Sequence, residues 1–143
     1  MKSIIRKIKE KDYKQISELL QRNKMISDEF TKKKFNKVIH RNKGFCYVAE
    51  IDGKIVGTVF GMHDGAFHGY IGKLLVAKDY RRQKIASELV SKLVDRFKKN
   101  GIYLVFAHVE KKNKPSLKLL KSLRFEIQNS HYLIDRRLKR RSA

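Results

Sequence analysis

The sequence predicts an α/β fold in which a mixed central sheet opens with antiparallel strands and then runs through a parallel strand–helix–strand crossover. Three observations predict it. Residues 45–51 and 54–62 are apolar and β-rich, and Asp52-Gly53 between them is a two-residue hairpin turn. Between residues 83 and 100 the apolar positions Ile85, Ala86, Leu89, Val90, Leu93, Val94 and Phe97 recur at three- and four-residue intervals, the period of an amphipathic helix. That helix stands between two apolar strand-like segments, so it serves as a crossover that sets them side by side and parallel.

Each element has its own local signal. Residues 3–8 are short and partly alternating and read as an opening strand. Asp12 is placed as N-cap of a helix carrying Tyr13, Ile16, Leu19 and Leu20, and Ser27-Asp28 opens a second helix with Phe30, Phe35, Val38 and Ile39 that ends near residues 42–44. After the hairpin comes a loop of His63, Asp64, Gly65 and Ala66. The strand that follows runs to about Ala77, and the apolar content of Ile71, Leu74, Leu75 and Val76 implies that it is buried. Gly101 supplies the C-terminal stop of the long helix. Residues 102–109 read as a buried strand, and Pro115 suits the first turn of a helix with Leu117, Leu119, Leu120 and Leu123. Residues 125–127 and 132–134 read as terminal strands.

A chain of 143 residues, 41% hydrophobic and 34% charged, is long enough for one core without disulfides or metals, so a single domain over residues 1–143 is expected. Its one proline argues against linkers. Cys46 is the only cysteine, which excludes an intramolecular disulfide or a cysteine zinc cluster, fits a reducing compartment and suits a buried small hydrophobe. No apolar h-region follows Met1, and the longest apolar run, residues 102–107, is far short of the roughly 20 residues of a membrane span. A soluble, cytoplasmic protein with no membrane partner is expected. The 35 Lys and Arg against 14 acids give a formal net charge of +21, a field that attracts phosphate-rich partners such as nucleic acid or ribosomes. Most of these cations read as solvated helix faces, but the basic tail from about Arg136 concentrates its charge beside the terminus, where it either grips an anionic partner or is simply a frayed end.

In a sheet of this kind the ligand crevice lies outside the carboxyl ends of the parallel strands, here around residues 76–82 and 108–113. Residues 76–87 join a buried strand to the long helix. Exposed amides and the positive end of the helix macrodipole make that junction an anion site, reinforced by Arg81, Arg82 and Lys84, and a pyrophosphate fits it.

At this junction the chain resembles the GNAT superfamily of N-acetyltransferases. The family's signature is a strand ending in Val, a few residues, Gln or Arg, two residues, Gly, one residue, then Gly or Ala. It is similar to Val76, Arg81, Lys84 and Ala86 here. Downstream, a strand, an Asn and a helix leading to a leucine and a phenylalanine resemble residues 105–125, with Asn113 on the family Asn. The hairpin, read from Val48-Ala49-Glu50 through Asp52-Gly53 to Val56-Gly57, is similar to one that family members commonly carry.

The resemblance implies acetyl-CoA as cosubstrate in the splay between the two parallel strands, with no metal. Pantetheine would pair with the backbone of Leu74, Leu75 and Val76, and amides of Arg82, Gln83, Lys84, Ile85, Ala86 and Ser87 would hold the pyrophosphate. Asn113 would contact the cofactor, and an amide such as that of Leu75 would serve the oxyanion. The acceptor is then a primary amine: a protein N-terminus, a lysine or a small amine, with a polyamine disfavoured by the scarcity of acids. The alternative is a noncatalytic module of this fold that binds RNA or ribosomes through its basic surface. Two positions depart from the family. Lys84 replaces a glycine, which is expected to be tolerated because a helix start need not have positive φ. Leu120 replaces a tyrosine that protonates the leaving thiolate; with reference thiol pKa values near 8.5, its loss slows but does not forbid departure. Arg124, for the glycine before the phenylalanine, concerns a turn.

His63, Asp64 and His68 lack metal-site spacing and read as a polar hairpin tip, while Tyr70 and Tyr132 are placed at the rim of the acceptor pocket or in the core. The catalytic candidate is His108. Leu104, Phe106 and His108 share one strand face, so His108 is the polar exception at the carboxyl end of an apolar stripe. An imidazole accepts a proton near neutrality, directly or through a water. In the similar ribosomal-protein N-terminal acetyltransferases, a proposed glutamate base stands five residues before the family Asn, the separation of His108 from Asn113. The competing reading is a hydrogen-bonded packing histidine.

Overall fold

The computed structural model describes residues 2–138 of the 143. The chain divides into two compact units with the boundary between His108 and Val109. The first unit holds a five-stranded sheet in the order β1-β2-β3-β4-β5, with β1 Ile4–Lys7, β2 Cys46–Ile51, β3 Lys54–His63, β4 His68–Val76 and β5 Leu104–Ala107. Its first four strands are antiparallel neighbours, while β4 and β5 run parallel. Helix α1 spans Tyr13–Arg22, α2 spans Lys32–Arg41, and α3, Ile85–Lys99, makes the crossover.

Local chemistry explains most boundaries. Asp52 and Gly53 have φ of 49° and 77°, the paired left-handed conformation that matches a two-residue turn to strand twist. Helix α3 ends as the sequence predicts: Gly101, at φ 76°, lets Ile102 N–H reach the Phe97 carbonyl at 3.1 Å. The second helix begins later than expected, because Thr31, not Ser27-Asp28, caps it by accepting from Lys34 N–H at 3.3 Å. Asp12 stands at the N-cap position of α1, as expected, but its side chain makes no cap hydrogen bond there. Its carboxylate is buried and accepts instead from the Lys9 amide at 2.8 Å and from the Arg6 guanidinium at 2.8 and 3.0 Å.

The sheet is covered on both faces. Ile16, Leu19 and Leu20 of α1 and Phe35 and Ile39 of α2 pack with Ile8, Cys46, Val48, Ile55, Phe60 and Leu75 in one cluster. On the opposite face α3 approaches through glycines: a Cβ on Gly61 would stand 2.5 Å from Leu93, and one on Gly69 would stand 2.7 Å from Phe97. Those missing side chains let the i, i+4 row Ile85, Leu89, Leu93, Phe97 settle close to the sheet, which fixes where the N-terminus of α3 emerges. Burial raises the Cys46 thiol pKa to about 11, so it is an inert core residue. No helix among the described residues is long and apolar enough to cross a membrane.

Strand β5 is shorter and more open than expected. Leu104 and Phe106 are exposed, and Val105 and Ala107 only half-buried, because the strand has a neighbour on one edge alone among the described residues.

The second unit contains α4, Lys114–Ser122, capped by Asn113, whose side-chain oxygen accepts from Ser116 N–H at 3.3 Å, with Pro115 in the first turn. The two strands expected at residues 125–127 and 132–134 do not form. Tyr132 and Ile134 are 94% and 87% exposed, and a β-rich alternation makes no strand without a ladder partner. Of the basic tail from Arg136, residues 139–143 lie outside the described residues.

Candidate active site

Strand β4 outruns its parallel neighbour. Pairing with β5 begins at His68↔Leu104 and stops at Ile71↔Ala107, while β4 continues to Val76 against β3. Along residues 72–76 the edge that faced β5 is therefore left without a strand beside it among the described residues. A β-bulge begins this stretch: Thr58 and Phe60 of β3 pair with Leu75 and Gly72, so β4 carries one extra residue, and Lys73 sits there at φ 47°. The hydroxyl of fully buried Thr58 donates to the Lys73 carbonyl at 2.7 Å and pins the bulge.

Backbone alternation decides which groups face the open edge. Ala77 N–H donates to the Val56 carbonyl of β3 at 2.7 Å, so Ala77 and, two residues earlier, Leu75 turn toward β3. Val76 turns the other way. The Leu75 amide expected to serve an oxyanion thus belongs to the β3 ladder, and the Val76 amide faces the gap. The Val76 carbonyl is held from its outer side by Arg81 Nε at 2.9 Å, and the same guanidinium donates to Asn23 Oδ1 at the end of α1 at 3.2 Å. Arg81 is thus tied to the end of β4 rather than free to face a phosphate.

The loop into α3 is left-handed twice. Arg82 has φ 65° and Lys84 φ 64°, so the glycine position that Lys84 occupies does demand positive φ, contrary to the expectation from helix starts in general. The side chain of Lys84 makes no cap hydrogen bond. A 15-residue helix therefore starts with uncapped amides next to an alternating left-handed turn, the backbone arrangement of an anion nest. Arg82, Gln83 and Lys84 are exposed around it, Ala86 and Ser87 are half-buried, and Ile85 is anchored in the core.

On the α1–α2 face, Tyr70 of β4 stacks on Phe106 of β5 with centroids 5.4 Å apart, and His68 meets Phe106 edge-on at 5.6 Å. His108 lies one residue past the end of β5, exposed, on the continuation of the Leu104–Phe106 face. Its side chain makes no hydrogen bond or ion pair among the described residues. The hairpin tip is self-contained: Asp64 Oδ1 accepts the amides of Ala66, Phe67 and His68 at 2.9, 2.7 and 3.0 Å, and these hold its pKa down at about 2. No group of three or more potential metal ligands occurs among the described residues. In the second unit, Asn113 is exposed and occupied in capping α4, while Leu120 is buried.

A mixed sheet, a parallel pair parting at its carboxyl end and an anion nest at the crossover helix define a nucleotide-cofactor type of cleft. The chain belongs to the acetyltransferase (GNAT) family, whose family model matches residues 8–125. Among curated proteins it is 40% identical over 83 residues to N-alpha-acetyltransferase MAK3 of Arabidopsis thaliana, a match covering 56% of this chain and 44% of that protein. The chain thus spans less than half the length of that relative. Among solved structures, Ard1 from Thermoplasma volcanium superposes with a TM-score of 0.80 at 18% identity, covering 90% of this chain and 85% of the other. Naa50 of Arabidopsis thaliana, in complex with the bisubstrate analogue CoA-Ac-MVNAL, superposes with a TM-score of 0.74 at 22% identity, covering 90% and 86%. At these identities the likeness is one of fold.

Proposed function

We propose that the protein is an N-acetyltransferase that takes acetyl-CoA as cosubstrate and a peptide N-terminal amine as acceptor. The observation that carries this reading is the open edge of β4 beyond Ile71, running into the uncapped start of α3. An extended amide-bearing chain finds a strand edge to pair with, and a diphosphate finds unsatisfied N–H groups and a positive helix end, so the residues present fit the cofactor. Membership of the acetyltransferase family and the likeness to an N-alpha-acetyltransferase support the chemistry and the acceptor class.

In this reading Leu74 and Val76 offer backbone groups to pantetheine, and residues 82–87 hold the diphosphate mainly through amides, with the Arg82 and Lys84 side chains adding charge from solvent. Asn113 is the further cofactor contact implied by the family. Acetyl-CoA supplies the thioester acyl group. The oxyanion donor is assigned to the open edge, at Leu74 or Val76, in place of Leu75. His108 accepts the proton of the acceptor amine, directly or through water.

Calorimetry with acetyl-CoA on the wild type and on Ala86→Glu tests the cofactor site. A carboxylate in the first turn of α3 opposes a diphosphate by charge and bulk, and binding is expected to weaken by at least about tenfold. Unchanged affinity in a folded Ala86→Glu protein rules out this location.

A further inference from the structure

A cavity of about 270 Å³ lies on the α1–α2 face, walled by Phe30, Phe35, Val38, Phe60 and Met62 and closed on one side by Gly72 and Lys73 of β4. It is slightly smaller than the roughly 300–1,000 Å³ of sites that enclose drug-sized ligands, so it has room for one side chain rather than a cofactor. Its depth is core: Phe35 and Phe60 are buried. Its polar lining is Ser27, Glu29, Lys34 and Lys73, and of these only Lys73 belongs to the sheet. The Lys73 backbone is fixed in the bulge by Thr58, and the Lys73 Nζ lies over the Phe30 ring, 5.2 Å from the centroid. Desolvation pulls its pKa below the ordinary lysine value. The other cation lining the cavity, Lys34, is in an ion pair with Glu29.

We propose that this cavity receives the side chain next to the acceptor amine, and that Lys73 is its specificity-determining residue, admitting a neutral apolar side chain and rejecting a cationic one. The inference rests on the acetyl-transfer reading above. Gly72 and Lys73 directly precede residues 74–76, at about 3.3 Å of strand per residue, so an amine brought to that edge carries its neighbouring side chain toward the cavity. Aromatic and methionine walls favour an apolar occupant. A lysine or arginine there gives up hydration beside a like charge already deprived of part of its own. Discrimination therefore comes from a repulsive element rather than an added attraction.

Two peptides differing only in their first residue, Met or Lys, test it. They are compared by acetyl-CoA turnover and by titration of protein bearing methyl-labelled methionine, because the Met62 methyl lies at the cavity wall, 3.2 Å from where a Cβ on Gly72 would stand. The expected result is a preference for the Met peptide of about 100-fold in kcat/KM, with the Met62 resonance shifted by the Met peptide alone. Lys73→Gln reduces that preference by about tenfold or more, chiefly by raising the Lys-peptide rate. Lys73→Gly, which suits φ 47°, gives the same result if glutamine disturbs the bulge. Equal rates for the two peptides, a preference unmoved in both variants, or a Met62 resonance unaffected by a peptide that is turned over would overturn the assignment while leaving acetyl transfer intact. Absence of acetyl-CoA binding and of turnover on any amine sinks the enzymatic reading instead, and the Met62 titration still reports on the cavity.

Discussion

Asp12 and His108 are both polar side chains close to a strand end, and their surroundings give them opposite roles. Asp12 is 3% exposed and bound to Arg6 and the Lys9 amide. Burial opposes its ionisation, but the Arg6 hydrogen bonds, the amide and nearby cations prevail and hold its pKa below the ordinary 3.8. A depressed carboxylate contributes stability above its unfolded pKa and loses it as pH falls through the folded value. Asp12→Asn, which leaves Glu50 as the one carboxylate bound to Arg6 among the described residues, is expected to cost about 2–3 kcal/mol at pH 7, with the gap from wild type narrowing below about pH 4. Urea denaturation at the two pH values measures it. His108 is exposed beyond β5 and free of partners among the described residues. If it accepts the amine proton, His108→Gln lowers kcat by about 100-fold and removes the acidic limb of the pH–rate profile while acetyl-CoA affinity is kept. A wild-type profile in that variant makes the histidine structural.

Helix ends separate what local sequence can and cannot declare. Helices α3 and α4 close with the same pair of bonds: Ile102 N–H to Phe97 and Gly101 N–H to Lys98 in one, Phe125 N–H to Leu120 and Arg124 N–H to Lys121 in the other. One motif carries Gly101 at φ 76° and the other Arg124 at φ 72°. A side chain in left-handed backbone costs about 1 kcal/mol. Arg124→Gly is expected to stabilise and Gly101→Ala to destabilise by about that amount each, read as opposite shifts in thermal midpoint. The same substitution logic applies at Lys84, where the sequence shows a lysine in a family glycine position and only the φ of 64° shows that the backbone kept the glycine conformation. The terminal segment failed in the other direction. Residues 125–127 and 132–134 have strand composition, but a strand is defined by its partner, and composition does not supply one.

For the whole molecule, 35 basic against 14 acidic residues leave a self-repelling charge of +21. Raising ionic strength from a few millimolar to 0.15 M, where the Debye length is about 8 Å, screens that repulsion, so the thermal midpoint is expected to rise by a few degrees. A flat or falling midpoint in differential scanning calorimetry would mean that local ion pairs such as Arg6–Asp12 outweigh the global field. The order of the first five strands and of the four helices, the Asp52-Gly53 turn and the Gly101 stop were legible in the residues alone. Those follow from side-chain period and backbone sterics within a few residues. Where β4 and β5 part, the bulge at Lys73, the turn of Leu75 toward β3, the tie of Arg81 to Asn23 and the cavity shared by Phe30, Phe60 and Lys73 emerge only in the folded chain. Each depends on the register between segments far apart in the chain. A one-residue bulge there turns backbone groups and side chains to the other side, and no local pattern records it.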